Sequence, residues 1–179
     1  MKKNSVLFLC FISAFFLLAT CQSTQQKNDK TVNTMEEKPG EKALMQERSN
    51  SENGITITTE KEKYTTGDKE IIVNIQNEND THFTYGKQFS IEKNVSSTWY
   101  ELPFKDGMDI FEETVYTVKS KSSTTQIVSL GRLKNKPSPG KYRIVKTFNN
   151  PENYYLEEEK SEKKPINSPT LAAPFEIVK

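Results

Sequence analysis

An all-β antiparallel sandwich of about seven or eight strands is the fold the sequence predicts for residues 54–179. Three observations carry this. From Gly54 onward, short runs rich in Ile, Val, Thr, Tyr and Phe alternate apolar and polar side chains with the two-residue period of a half-buried strand. Clusters of Gly, Pro, Asn, Asp and Ser interrupt these runs at short intervals. No stretch of the region sustains the 3.6-residue period of a packed helix.

Residues 54–59 open the series, with Ile55 and Ile57 alternating with threonines, and residues 64–68 supply a turn. Residues 70–77 read as a buried central strand with Ile71, Val73 and Ile75 on one face, closed by the polar cluster 77–80. Residues 83–93 and 98–102 read as a hairpin joined by 94–97, with Gly86 as a bulge and Pro103 as a stop. Residues 111–118, 124–130, 141–148 and 175–178 complete the set. Trp99 is read as a packing residue of the core, with an exposed recognition role as the alternative.

The N-terminus carries an address. Lys2 and Lys3 precede an apolar run over residues 5–19, too short to span a bilayer and right for a signal-peptide core. Leu18-Ala19-Thr20-Cys21 then ends it in the manner of a lipobox, although Thr20 stands where Gly, Ala or Ser is usual. The expectation is a lipoprotein signal peptide over 1–20, with Cys21 acylated and the protein held to the cell membrane facing outside the cytoplasm. Two or three acyl chains suffice for stable anchoring. The only other cysteine, Cys10, lies within the signal core, so no disulfide is expected inside the domain.

Residues 22–53 are rich in Gln, Ser, Thr, Asn, Lys and Glu and nearly lack aromatic and β-branched apolar side chains. Such a composition buries too little surface to offset chain entropy, so residues 21–53 are expected to be a flexible tether, with only marginal helical propensity at 41–48. Removal of Lys2 and Lys3 with the signal leaves 23 basic against 24 acidic residues. Near-neutral charge, without a long basic cluster, argues against a nucleic-acid partner.

The inventory for chemistry is sparse. His82 is the only histidine, and no thiol is expected in the domain, which removes Cys/His catalysis and the usual zinc clusters. No nucleophile-elbow motif accompanies His82. The acidic turns 78–80 and 106–109 do not spell a calcium loop and read as local hydrogen-bonding turns. No catalytic residue, metal site or cofactor is assigned.

Four pieces of the chain carry a family resemblance: residues 54–77, which include Tyr64-x-x-Gly67-Asp68; Trp99-Tyr100; Pro139-Gly140-x-Tyr142-Arg143; and the closing Pro174-Phe175-Glu176-Ile177-Val178. Together they resemble the bacterial immunoglobulin-like domains of exported Gram-positive proteins. The resemblance implies an immunoglobulin-like sandwich used for binding or spacing, usually without catalysis, and it brings no active-site residue. In such sandwiches a tyrosine near the start of the penultimate strand hydrogen-bonds back to the preceding corner, two residues before a disulfide cysteine. Tyr142 and Ile144 stand in those places, with Tyr142 as a plain strand starter the alternative.

Residues 149–172 form an unusually long connection between the last two strands. Tyr154, Tyr155 and Leu156 are its candidate partner-binding residues, because a loop at that end of an immunoglobulin-like sandwich serves recognition and tyrosines give large contact area at low entropic cost. A solvated excursion is the alternative. The leading functional expectation is a non-catalytic, membrane-tethered binding module for a protein or cell-envelope polymer. A loop-based inhibitor of an exported protease and a purely structural accessory lipoprotein are the other classes.

Overall fold

The computed structural model describes residues 40–150 and 168–179, and every statement below concerns these. They form twelve strand segments: β1 Glu41–Lys42, β2 Ser51–Glu52, β3 Ile55–Thr59, β4 Lys63–Thr65, β5 Glu70–Asn77, β6 Phe83–Gly86, β7 Ser90–Val95, β8 Thr98–Glu101, β9 Val115–Val118, β10 Ser122–Ser129, β11 Gly140–Thr147 and β12 Thr170–Val178. A single 3-10 turn, Leu130–Arg132, follows β10.

One sheet runs β1-β8-β7-β11-β12-β4, a second runs β10-β5-β3-β2, and β6 pairs with β9 in a small third sheet. All ladders are antiparallel except β12 with β4. This is the β-sandwich that the alternation implied, in the immunoglobulin-like form that the resemblance implied. The two large sheets bury their inward residues against each other. Ile55, Ile57, Ile71, Val73 and Ile75 come from one sheet, and Ile91, Tyr142, Ile144, Phe175 and Ile177 from the other. Burial of side chains of this size stabilises by about 1.5–3 kcal/mol each, which lets the domain do without a disulfide.

The corner reading of Tyr142 holds. Its ring is buried and stacks on Phe175 at 5.5 Å between centroids, while its hydroxyl donates to the Ser138 carbonyl at 2.5 Å. Ile144, in the cysteine position, is fully buried. Tyr142→Phe is therefore expected to lower unfolding free energy by about 1–2 kcal/mol, the value of one such bond, in urea titration monitored by circular dichroism.

Four expectations change. Residues 83–93 are not one strand with a bulge: β6 and β7 join different sheets, and the chain crosses over at residues 87–89. The crossover is fixed by Lys146, described below, which binds the carbonyls it frees. The last strand begins at Thr170 rather than at 175, because Thr147 still pairs with Thr170 and the Phe148 amide donates to the Pro169 carbonyl. The long connection is correspondingly shorter than 149–172.

The third change concerns the tether. Residues 40–53 are a strap bound to the sandwich, not a flexible spacer, and residues 41–48 are not helical. β1 adds to the β8 edge, the Ala43 amide donates to the Trp99 carbonyl, and the Ala172 amide donates to the Ser49 carbonyl beside β12. The strap thus crosses the outer face of the six-stranded sheet before β2 joins β3 in the other sheet. Asn53 and Gly54 turn that hairpin with φ of 49° and 70°, the left-handed pair an Asn-Gly turn supplies. A side chain on Gly54 would also run into Asn79, 2.5 Å from a Cβ placed there.

What binds the strap is a buried charge cluster rather than apolar area. Arg143 and Glu92 alternate with inward residues and so face outward, yet they are only 4 % and 1 % exposed because the strap covers them. Arg143 Nε meets Glu92 Oε2 at 2.5 Å, and its other nitrogens donate to the carbonyls of Gln46 (2.9 Å) and Met45 (2.7 Å). Trp99 lies outside the core, contrary to the packing expected of it. Its ring backs the Arg143 guanidinium at 4.3 Å, and its amide donates to the Gln46 side-chain oxygen. Arg48 approaches the second Glu92 oxygen at 3.9 Å.

Candidate functional site

A strand pair joined by a tight turn would normally zip together, but β9 and β10 do not. Only residues 119–121 separate them, yet β9 pairs with β6 and β10 pairs with β5. The two strands diverge from their turn, and between them opens a cavity of about 540 Å³. That size lies within the range of small-ligand pockets.

One wall is aromatic. Tyr85 on β6 stacks against Tyr116 on β9 at 5.6 Å, and Phe89 meets Phe111 edge-on at 5.2 Å. Burial raises the Tyr85 hydroxyl above the usual tyrosine range, against the opposing hydrogen bond with Thr124. The opposite wall is β10 itself, where Thr125, Gln126 and Ile127 all line the space although neighbours in a strand point to opposite faces. Consecutive lining residues mean that the cavity runs along the strand's edge. Ile127, which lines it, is 61 % exposed, and Ile110 and Val115, next in sequence to the lining Phe111 and Tyr116, are 73 and 70 % exposed.

Two cations stand at the rim. Lys87 is paired with Glu112 at 2.5 Å, which raises the lysine and lowers the carboxylate from their ordinary values. Arg132 lies over the Phe111 ring at 4.4 Å and donates to the Ile110 carbonyl at 3.3 Å; no carboxylate faces it among the described residues. Gln126 donates to the Lys87 carbonyl at 2.9 Å, while its buried side-chain oxygen has no hydrogen-bond partner.

Behind the aromatic wall lies Lys146, on the inward phase of β11 and 2 % exposed. Its ammonium donates to the carbonyls of Gly86 (2.9 Å) and Gln88 (2.8 Å) and sits 5.2 Å from the Tyr85 ring centre. These carbonyls belong to the β6–β7 crossover, so Lys146 holds the wall in place. Burial pushes its pKa down to about 8.

Tyr154, Tyr155 and Leu156, and the lipid-attachment residue Cys21, lie outside the described residues. Asn149, which leads into the long connection, bridges Thr84 of β6 through reciprocal backbone bonds of 2.8 Å. His82 is exposed, and among the described residues no group of three or more His, Cys, Asp or Glu stands together as a metal site. The cavity itself escaped sequence reading, which placed residues 111–118 and 124–130 as ordinary strands; the unpaired edges arise only from where each strand finds its partner.

Comparison with known proteins agrees with this architecture. No curated protein matches the chain. The family described as bacterial Ig-like domain matches residues 51–165, well over half of the sequence. That match begins where β2 begins and extends past β11. By sequence match and by strand order, the chain belongs to the bacterial Ig-like domain family.

Proposed function

We propose that the protein is a non-catalytic binding module, tethered outside the cytoplasm by lipid on Cys21, whose contact site is the cavity between β9 and β10. Membership of an Ig-like family supports a binding or structural role. The observation that favours binding is the cavity: an aromatic wall, a cation without a carboxylate partner among the described residues and the exposed Ile127 meet in one place. A purely structural spacer needs no such feature. The tether reading rests on the order of Lys2 and Lys3, the short apolar run and Cys21. Residues 154–156 are proposed as a second contact, on a connection that leaves the sandwich beside β6.

Two measurements test this. Cys21→Ala is expected to move the protein from the membrane fraction to the soluble fraction or to block its processing; an unmodified Cys21 by intact mass would remove the anchor. Affinity capture from envelope extract is expected to retain a partner on the parent chain and to lose at least tenfold of it on the Phe111→Ala, Tyr116→Ala double variant. Equal capture by that variant would place the contact surface elsewhere.

A further inference from the structure

We propose that the cavity takes an extended peptide, which adds as a strand to the open edge of β10. This rests on the binding-module reading and names its ligand class.

The backbone directions follow from the ladders. The Glu60 amide donates to the Ile72 carbonyl, so Ile72 directs its peptide groups toward β3. In an antiparallel strand a residue sends its N–H and C=O to the same side, and its neighbours send theirs to the other. Ile72 is aligned with Ile127, which therefore directs both groups away from β5, toward the cavity; the same holds for Thr125, aligned with Asn74. The Leu130 amide, which donates to the Lys69 carbonyl, confirms the alternation. β9 repeats the pattern. Thr84 exchanges bonds with Asn149, so its partner Thr117 also faces its backbone outward. Among the described residues, then, two strand edges flank one cavity, and neither is paired on that side.

Unpaired edges are templates for another strand, and natural domains usually blunt them with charge or proline. β10 carries neither between Ser122 and Ser129. A peptide backbone supplies the alternating donors and acceptors such an edge lacks, and every second side chain of the added strand points to one face. On the inner face it meets Tyr85, Phe89 and Phe111, which suits an apolar or aromatic residue. Arg132, with no carboxylate among the described residues, suits an acidic residue one register step away, and the unpartnered Gln126 oxygen suits an N–H donor. A sugar ring would use the aromatic wall but leave the repeating backbone groups unmatched.

The test selects phage-displayed random dodecapeptides on the full chain in detergent and remeasures the selected sequences as synthetic peptides. The expected binders combine an apolar or aromatic residue with an acidic one. N-methylation at alternate peptide nitrogens is expected to weaken binding at least tenfold, with intervening positions tolerant. Ile127→Pro is expected to weaken it as much at an unchanged unfolding midpoint, because an outward-facing edge N–H takes no part in the native ladder. Arg132→Gln is expected to weaken the acidic peptides about tenfold and their amide analogues little.

Retention of only envelope glycan fragments, an N-methyl scan without alternation, or undiminished binding to a folded Ile127→Pro would overturn strand addition; the peptide-side scan decides the matter even if that variant fails to fold. Loss of captured partner on Phe111→Ala, Tyr116→Ala with full capture by Ile127→Pro would leave the binding module standing and remove only the peptide mode.

Discussion

Replacing Glu92 by Leu is expected to cost about 3–5 kcal/mol, because it strands Arg143 in a site it cannot leave. The guanidinium is 4 % exposed, sandwiched between the strap and the sheet, with Trp99 on one side. Loss of the carboxylate removes the one ion-pair partner that Arg143 has among the described residues and takes a nearby anion from Arg48, leaving it the more distant influence of Glu101. The pair as a whole contributes far less than this cost suggests, since two charges have also been taken out of water. Glu92→Leu with Arg143→Leu is therefore expected to recover most of the loss, and the two single changes to be strongly non-additive. Urea midpoints of the four proteins check both. The strap gives a second readout: its carbonyls at Met45 and Gln46 lose their donor in Arg143→Leu, so proteolysis between residues 40 and 50 is expected to accelerate there. Equal stability of the Glu92→Leu protein would mean that Arg143 stays solvated, against the burial observed.

Raising the pH from 7 to 10 is expected to stabilise the parent protein relative to Lys146→Met by roughly 2–3 kcal/mol. The sign follows from the direction of the shift. Burial lowers the folded-state pKa of Lys146 to about 8 from 10.5, so between those values the unfolded chain binds the extra proton and folding is penalised. The penalty is fully present below about pH 8 and vanishes as the pH passes 10.5. Tyr64 and Tyr85, raised mainly by burial, destabilise the fold at still higher pH; Tyr64 is common to both proteins and cancels, whereas Tyr85 lies beside the Lys146 ammonium, so the comparison is read at pH 10 and below. Parallel stability curves for the two proteins would show that the Lys146 ammonium is hydrated. The consequence reaches the cavity, because Lys146 ties down the crossover that carries Lys87 and Phe89.

The sequence by itself determined the sandwich and its principal strands, because alternation and turn residues are local signals that any burying partner exploits in the same way; it offered Tyr142 as a corner tyrosine or a plain strand starter, and the bond of its hydroxyl to Ser138 decided between them. One further local signal went unread: Asn53-Gly54, followed by an alternating run, marks a hairpin and thus a strand before residue 54. Lys146 could also have been noticed, since it shares the inward phase of Tyr142, Ile144 and Phe148. Only the tertiary structure decided the rest. Residues 40–50 have the composition of a spacer, and nothing in them announces that Arg143, nearly a hundred positions away, will collect two of their carbonyls. The cavity depends on β9 and β10 choosing different neighbours, and strand partnership is fixed by non-local packing rather than by the residues of either strand. Alternation fixes which face of a strand is buried; which edges stay open is settled only when all the strands have met.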